Sequence, residues 1–315
     1  MSYLISIFWN REENRLRAGY RILLQMTVFM FVRKLLSFHF NSSVSYWEQL
    51  AFGGSRIIAS LFSVWLVGRL LDKRKMKDFG FHFNKDWWID LAFGLGLGVI
   101  LMTTIFLVEL SAGWIVIKEF AFVGPEDKSF IPSITVFFIV LVFAGTNEEL
   151  NYRAYFLTNA AEGFNYKSIG PKKAVIIAWV FSCVFFGVFH IGNPNATLFS
   201  TLNIMLAGVA LGLGFVMTGS MAIPIGIHIT WNFFQGNVFG FPISGNTVFM
   251  ESASFFRIEQ LGSDSITGGA FGPEGGMLCT LALLIGIALT LLWHHYRYGI
   301  KWNEIYSPIA ILPLN

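Results

Sequence analysis

Long apolar stretches recur along nearly the whole chain, and they limit its fold more than any other feature. Windows long enough to cross a bilayer, roughly 17–25 residues, fall at about 19–39, 50–71, 88–112, 131–161, 173–191, 197–218, 221–241 and 277–295. Backbone N–H and C=O groups find no water in hydrocarbon, so stretches of this kind satisfy themselves as helices. The expectation is an all-α polytopic membrane bundle of about eight transmembrane helices, the first weakened by Arg33 and Lys34. Composition agrees: 55% of residues are hydrophobic and 13% charged, against about 25% charged in soluble domains. No repeat, low-complexity tract or linker interrupts the pattern. The sequence reads as one integral membrane domain over 1–315, with helices 131–241 as its chemical core.

The basic residues divide by connection. With a cytoplasmic N-terminus, the inside segments hold Arg11, Arg15, Arg17, Arg21, Arg69, Lys73, Arg74, Lys75, Lys77, Lys85, Lys167, Lys172, Lys173, Arg297 and Lys301. The outside keeps Lys118, Lys128 and Arg257, with Arg56 near a boundary. Cytoplasmic loops carry the Lys/Arg excess, so both termini are expected in the cytoplasm and the chain in the inner (plasma) membrane. The first apolar run, around Ile22 to Leu36, reads as a retained helix rather than a signal peptide, because it contains Arg33 and Lys34 and leads into another span. The two cysteines, Cys183 and Cys279, give neither a disulfide framework nor a cysteine zinc spacing. Nothing suggests nucleic acid as a partner; membrane lipid and a membrane-associated peptide or protein are the expected ones. Oligomeric state is left open.

Glycines at 94, 96 and 98 and at 208, 212 and 214 lie in apolar helices, where small residues let neighbours approach closely. A phosphate loop would instead follow a strand. Gly219-Ser220 reads as a connection between spans. The stretch from Pro242 to Gly276 is the longest polar connection, carrying Glu251, Glu259, Asp264 and Glu274. It reads as a mobile outside loop, with a lid or substrate-binding role as the alternative.

Polar residues inside the apolar windows carry the chemistry, since ionisable groups at membrane depth mark functional sites. Glu148 and Glu149 are followed by Arg153. Glu149 and Arg153 stand one helical turn apart and can pair, while Glu148 points about 100° away and is left for another task. A carboxylate so placed can serve as a general base; a packing ion pair is the plainer reading. Phe186 precedes His190 by one turn, at the end of the fifth helix, where the ring can wall and orient the imidazole. His228 and Asn232 share a face at i, i+4 and can both donate hydrogen bonds, as a developing oxyanion requires. An interhelical hydrogen-bonded pair is the competing reading.

These three steps, EExxxR (Glu148 to Arg153), FxxxH (Phe186 to His190) and HxxxN (His228 to Asn232), occur in that order on separate helices. The pattern resembles the CAAX prenyl protease and bacteriocin-processing (CPBP, Abi) family of intramembrane proteases, type II CAAX endopeptidase-like. Arg15-Leu16-Arg17-Ala18-Gly19 before the first helix and Leu71-Asp72-Lys73-Arg74 before the third are also similar to family members. The resemblance implies an endopeptidase in which Glu148 is the base and His190 shares the attacking water. His228 and Asn232 would stabilise the oxyanion, with Glu149, Arg153 and Phe186 in support. It does not carry over a substrate: eukaryotic members trim three residues from prenylated proteins, and prokaryotic ones are tied to peptide maturation or bacteriocin immunity.

Family members are described both as metal-dependent and as glutamate proteases. No cofactor is expected here, because a His-Glu-x-x-His pair is missing and Asn232 is a poor zinc ligand; the alternative is zinc held by Glu148, His190 and His228. Counting from Lys173 carries His190 about 25 Å along its helix, towards the outer leaflet, whereas Glu148 and His228 count towards the inner one. A shared water requires that these levels meet. Two other functions compete. A proton-coupled transporter would use Glu148, His190 and His228 as a relay, but no inverted repeat is visible. A non-catalytic scaffold or immunity protein would not depend on Glu148.

Overall fold

The computed structural model describes residues 7–11, 13–37, 46–124 and 129–299. Lys128 and Lys301, used above to weigh the two sides, lie outside the described residues, as do residues 38 and 39 of the first span. A short hairpin of β1 (Trp9–Asn10) and β2 (Arg15–Leu16) leads into α1 (Ala18–Ser37). Next come α2 (Tyr46–Val67), prolonged by the π-helical Gly68–Asp72, and α3 (Lys85–Ser111). α3 begins where the Asn84 side chain accepts the Trp87 N–H at 2.9 Å, which satisfies one of the free donors at a helix start.

Strand β3 (Ile115–Val123) precedes α4 (Phe130–Glu149). α4 runs without a break through π-helical Leu150–Leu157 into α5 (Thr158–Phe164). α6 (Pro171–Val188) opens with proline at its first turn, and α7 (Leu198–Thr218) opens on a Thr197/Ser200 capping box. α7 stops at Gly219, whose φ of +65° ends the helix in a left-handed turn. α8 (Ala222–Phe233) continues as π-helical Phe234–Val238. Short α9 (Val248–Ser252), strand β4 (Ala253–Gln260) and one-turn α10 (Asp264–Thr267) then lead to α11 (Met277–Tyr298).

The polytopic α-bundle is therefore present. Among the described residues, six helical segments are long and apolar enough to cross a membrane. α1 holds three charges, Arg21, Arg33 and Lys34, and α8 has 12 α-helical residues followed by 5 π-helical ones. Two contacts bear on these weaker segments. Arg15, before α1, donates to the Asp72 carbonyl, after α2, at 3.0 Å. β3, after α3, pairs antiparallel with β4, after α8, from Ile115 opposite Gln260 to Val123 opposite Ala253. The first contact sets the start of α1 beside the end of α2, and the second sets the end of α3 beside the end of α8.

That β3–β4 pairing also corrects the reading of Pro242–Gly276 as a plain mobile loop. The connection is tied into a sheet, and the Glu274 carboxylate accepts from Ser244 N at 2.6 Å, Ser244 Oγ at 2.7 Å and Gln235 Nε2 at 3.1 Å. Burying a carboxylate demands such partners, and here they fasten the connection to the end of α8.

Glycine sets the tightest crossing in the bundle. A Cβ on Gly94 would stand 2.6 Å from the Ile223 carbonyl, and one on Gly226 would stand 2.7 Å from the Leu91 carbonyl. With backbones this close, the Thr230 hydroxyl reaches across to donate to the Leu95 carbonyl at 2.8 Å. Gly98 packs likewise against Ile227 and Thr230, and Gly208 and Gly214 against Cys183 and Ile223. Gly96 differs, with open space around its Cβ position. The α3–α8 contact matters because α8 carries His228 and Asn232.

Candidate active site

Glu148 and Glu149 end α4, where the helix widens into its π-helical turns. Stretches of this kind often mark functional positions. The two neighbours have different fates. Glu149 is sealed from solvent and accepts Arg153 Nη1 at 3.0 Å and His228 Nδ1 at 2.8 Å, both on Oε1. The expected Glu149–Arg153 pair is thus present, with His228 as a third member. Glu148 keeps about a fifth of its side-chain surface and faces a cavity, with Oε2 3.8 Å from His228 Nε2 and Oε1 4.0 Å from Arg56. Neither separation is a hydrogen bond, and the carboxylate is left open to a further partner.

Phe186 brings the motif helices to one level. Its ring lies under the Arg153 guanidinium at 4.1 Å, 4.8 Å from the His190 ring and 6.2 Å, edge-on, from the His228 ring. His190 does not end the helix as expected: α6 stops at Val188 and His190 stands in the turn beyond. Its Nδ1–H donates to the Phe186 carbonyl at 2.7 Å, which leaves Nε2 as the ring nitrogen available to a further partner. The turn sets His190 against the ring that walls it, in the same cavity wall as Glu148 and His228.

One cavity of about 1810 Å³ has Glu148, Tyr152, Phe186, His190, His228 and Asn232 in its wall. It exceeds the roughly 300–1,000 Å³ of ordinary small-molecule pockets, which leaves room for several residues of peptide. Glu149 and Arg153 lie behind this wall. Zinc fits the arrangement poorly: among the described residues, no three His, Cys, Asp or Glu side chains converge as a metal ion requires.

Two networks were not singled out by motif. Gln25 Nε2 donates to Ser63 Oγ at 3.0 Å and to Asn151 Oδ1 at 2.8 Å, while Asn151 Nδ2 donates to Ser60 Oγ at 2.7 Å and Ser60 to Asn147. This ladder ties α1 and α2 to the helix bearing Glu148. At the end of α5, buried Glu162 pairs with Arg15 at 3.0 Å, with Arg21 at 2.8 Å and with Arg74, and Arg21 also pairs with Asp72. The Arg15–Gly19 and Leu71–Arg74 stretches, noted for resemblance alone, meet here.

Residues 130–234 match the family model described as Rce1-like, type II CAAX prenyl endopeptidase Rce1-like. The matched segment spans all three motifs, so the family resemblance read from them holds over it. No curated protein and no solved structure matches the chain. An Rce1-like segment within six apolar helices makes this an integral membrane protein and supports a peptidase of the intramembrane protease type.

Proposed function

We propose that the protein is an intramembrane endopeptidase that hydrolyses a membrane-associated peptide or protein, lipidated tails included, with water activated at Glu148. The observation that carries this reading is the division of the Glu pair. Glu149 spends its charge on Arg153 and His228, whereas Glu148 faces the cavity without a hydrogen bond.

Water lodged between Glu148 and the Nε2 lone pair of His190 can give up a proton as it attacks the peptide carbonyl. The oxygen that gains charge is then met by His228 and Asn232, one turn apart on α8. His228 donates from Nε2 when it carries both ring protons. Glu148 returns its proton to the leaving amine, so the step balances with one water consumed per bond cut. Arg153, held by Glu149 and stacked on Phe186, fixes these groups without touching the reacting atoms.

The lysine and arginine bias supports cytoplasmic termini and an inner (plasma) membrane location. Substrate then reaches Glu148 from within the bilayer or through the loops. The test is cleavage of a bilayer-anchored reporter by the purified protein in lipid discs, with products identified by mass spectrometry. Wild type should cut and Glu148→Gln should fold and not cut; equal cleavage by both would overturn the proposal.

A further inference from the structure

The buried acids among the described residues differ in what balances them. Glu149, Glu162, Asp72 and Asp90 each pair with an arginine, and Glu274 pairs with none. Glu274 is 6% exposed and belongs to the wall of the cavity that holds Glu148. Its three donors, Ser244 N, Ser244 Oγ and Gln235 Nε2, all converge on Oε2. They leave that oxygen no proton to give, so it serves as an acceptor. Oε1 takes no hydrogen bond, yet it is not sealed off as the two idle oxygens of buried Glu109 are. A carboxylate built only as a fastening would use both oxygens.

Ser244 gathers further acceptors at this end of the cavity. It sits in the Ile243–Asn246 turn with φ of +47°, a left-handed position that favours glycine, and Glu274 holds its N–H and hydroxyl there. Asn193 Nδ2 donates to the Ser244 carbonyl at 2.9 Å, and Asn246 Nδ2 donates to the Ile243 carbonyl at 3.3 Å. Both amides line the same cavity and keep Oδ1 without a hydrogen bond among the described residues. The cluster adjoins the candidate chemistry on two sides. Asn193 N donates to the His190 carbonyl at 3.1 Å, and Gln235 follows Asn232 by three residues where α8 turns π-helical.

A buried charge without a counter-ion is costly, so the group that completes Glu274 is a cation carried by whatever occupies the cavity. A guanidinium fork engages both oxygens of a carboxylate, and here Oε2 is already taken. An ammonium is a compact charge with three donors. One open carboxylate oxygen suits it, and Asn193 and Asn246 supply neutral acceptors for the rest.

We propose that Glu274, with Asn193 and Asn246, forms an ammonium site that holds a lysine side chain of the peptide lying in the cavity. This rests on the peptidase reading above for the identity of the ammonium's bearer, and Glu274 acts in specificity rather than in bond breaking.

Binding tests it without cleavage. The Glu148→Gln protein in phosphatidylcholine discs is titrated with fluorescent hexapeptides in which one lysine is walked along a glutamine background. At its favoured position lysine should tighten binding about 10–100-fold over the all-glutamine parent, the range for hydrogen bonds to charged groups. Arginine at that position should bind less tightly than lysine, and Glu274→Gln should remove the lysine preference. Equal binding of the parent and every lysine form overturns the site, and this comparison holds even if Glu274→Gln fails to fold. A preference that survives in folded Glu274→Gln overturns it too, as does arginine binding better than lysine. If phosphatidylethanolamine in the discs abolishes the preference and co-purifies in a Glu274-dependent manner, the ammonium is a lipid headgroup and the lysine assignment falls. Lysine preference in a protein whose wild type cuts no reporter supports the ammonium site and sinks the peptidase reading. Cleavage that ignores lysine at every position sinks the ammonium site alone.

Discussion

Glu149 grips His228 from behind: Oε1 takes the Nδ1 proton at 2.8 Å, leaving Nε2 as the imidazole atom that faces the cavity. Arg153 holds the same oxygen at 3.0 Å. The ring is thereby fixed in direction, with its Nδ1 proton held by a carboxylate. Removing Glu149 leaves a buried guanidinium and a buried imidazole without their acceptor. Glu149→Ala should lower stability by about 3–5 kcal/mol, read as a lower melting temperature in detergent. A melt unchanged from wild type would show that the triad carries no such weight.

Glu148→Gln isolates chemistry from folding. Its side chain is partly exposed and makes no hydrogen bond, so the melt should move by no more than about 0.5 kcal/mol. Cleavage should fall at least 100-fold, the low end for loss of a general base. A large loss of stability would return Glu148 to the role of a packing residue.

Asn232→Ala addresses the oxyanion. One donor removed should lower kcat by about 100–1000-fold while KM changes little, because the interaction forms in the transition state. An effect confined to KM would make Asn232 a substrate-binding residue.

The α3–α8 crossing offers a paired test. Gly98→Val inserts atoms against Thr230 and the Ile227 carbonyl and should cost about 1–3 kcal/mol, with activity lost as α8 shifts. Gly96→Ala, two residues away and facing open space, should leave both melt and activity intact. Equal sensitivity at the two sites would argue against the close crossing.

Single cysteines at Lys118 and Glu259 should react with an impermeant thiol reagent from one side of the membrane, and one at Lys77 from the other. The native thiols Cys183 and Cys279 are buried and give a low background. Labelling of 118 and 259 from opposite sides would break the parity that the β3–β4 pairing implies.

The sequence exposed what is local or periodic. Apolar windows announced the helices, and EExxxR announced the Glu149–Arg153 pair, because partners one turn apart are visible in a linear pattern. Other relationships had no local sign. Ile115–Val123 and Ala253–Gln260 pair across more than a hundred intervening residues, and neither is regular enough in polarity to declare a strand. His190 looked like a helix terminus because its helix breaks only in the Gly187 to Pro194 stretch, where the turn conformation is set by contacts. Glu162 belongs to none of the motifs; its three arginine partners come from separate stretches of sequence. Even Gly96, in step with Gly94 and Gly98, proved to face away.

The β3–β4 clasp has a bearing on how the protein is made. Its first strand leaves the ribosome early, but its mate emerges only after every motif-bearing helix has been synthesised. A nascent chain ending before residue 253 would carry Glu148, His190, His228 and Asn232 yet lack the strap that fastens the α8 end of the bundle. The polar groups of the candidate site would thus all be synthesised before the strand that completes the strap beside them.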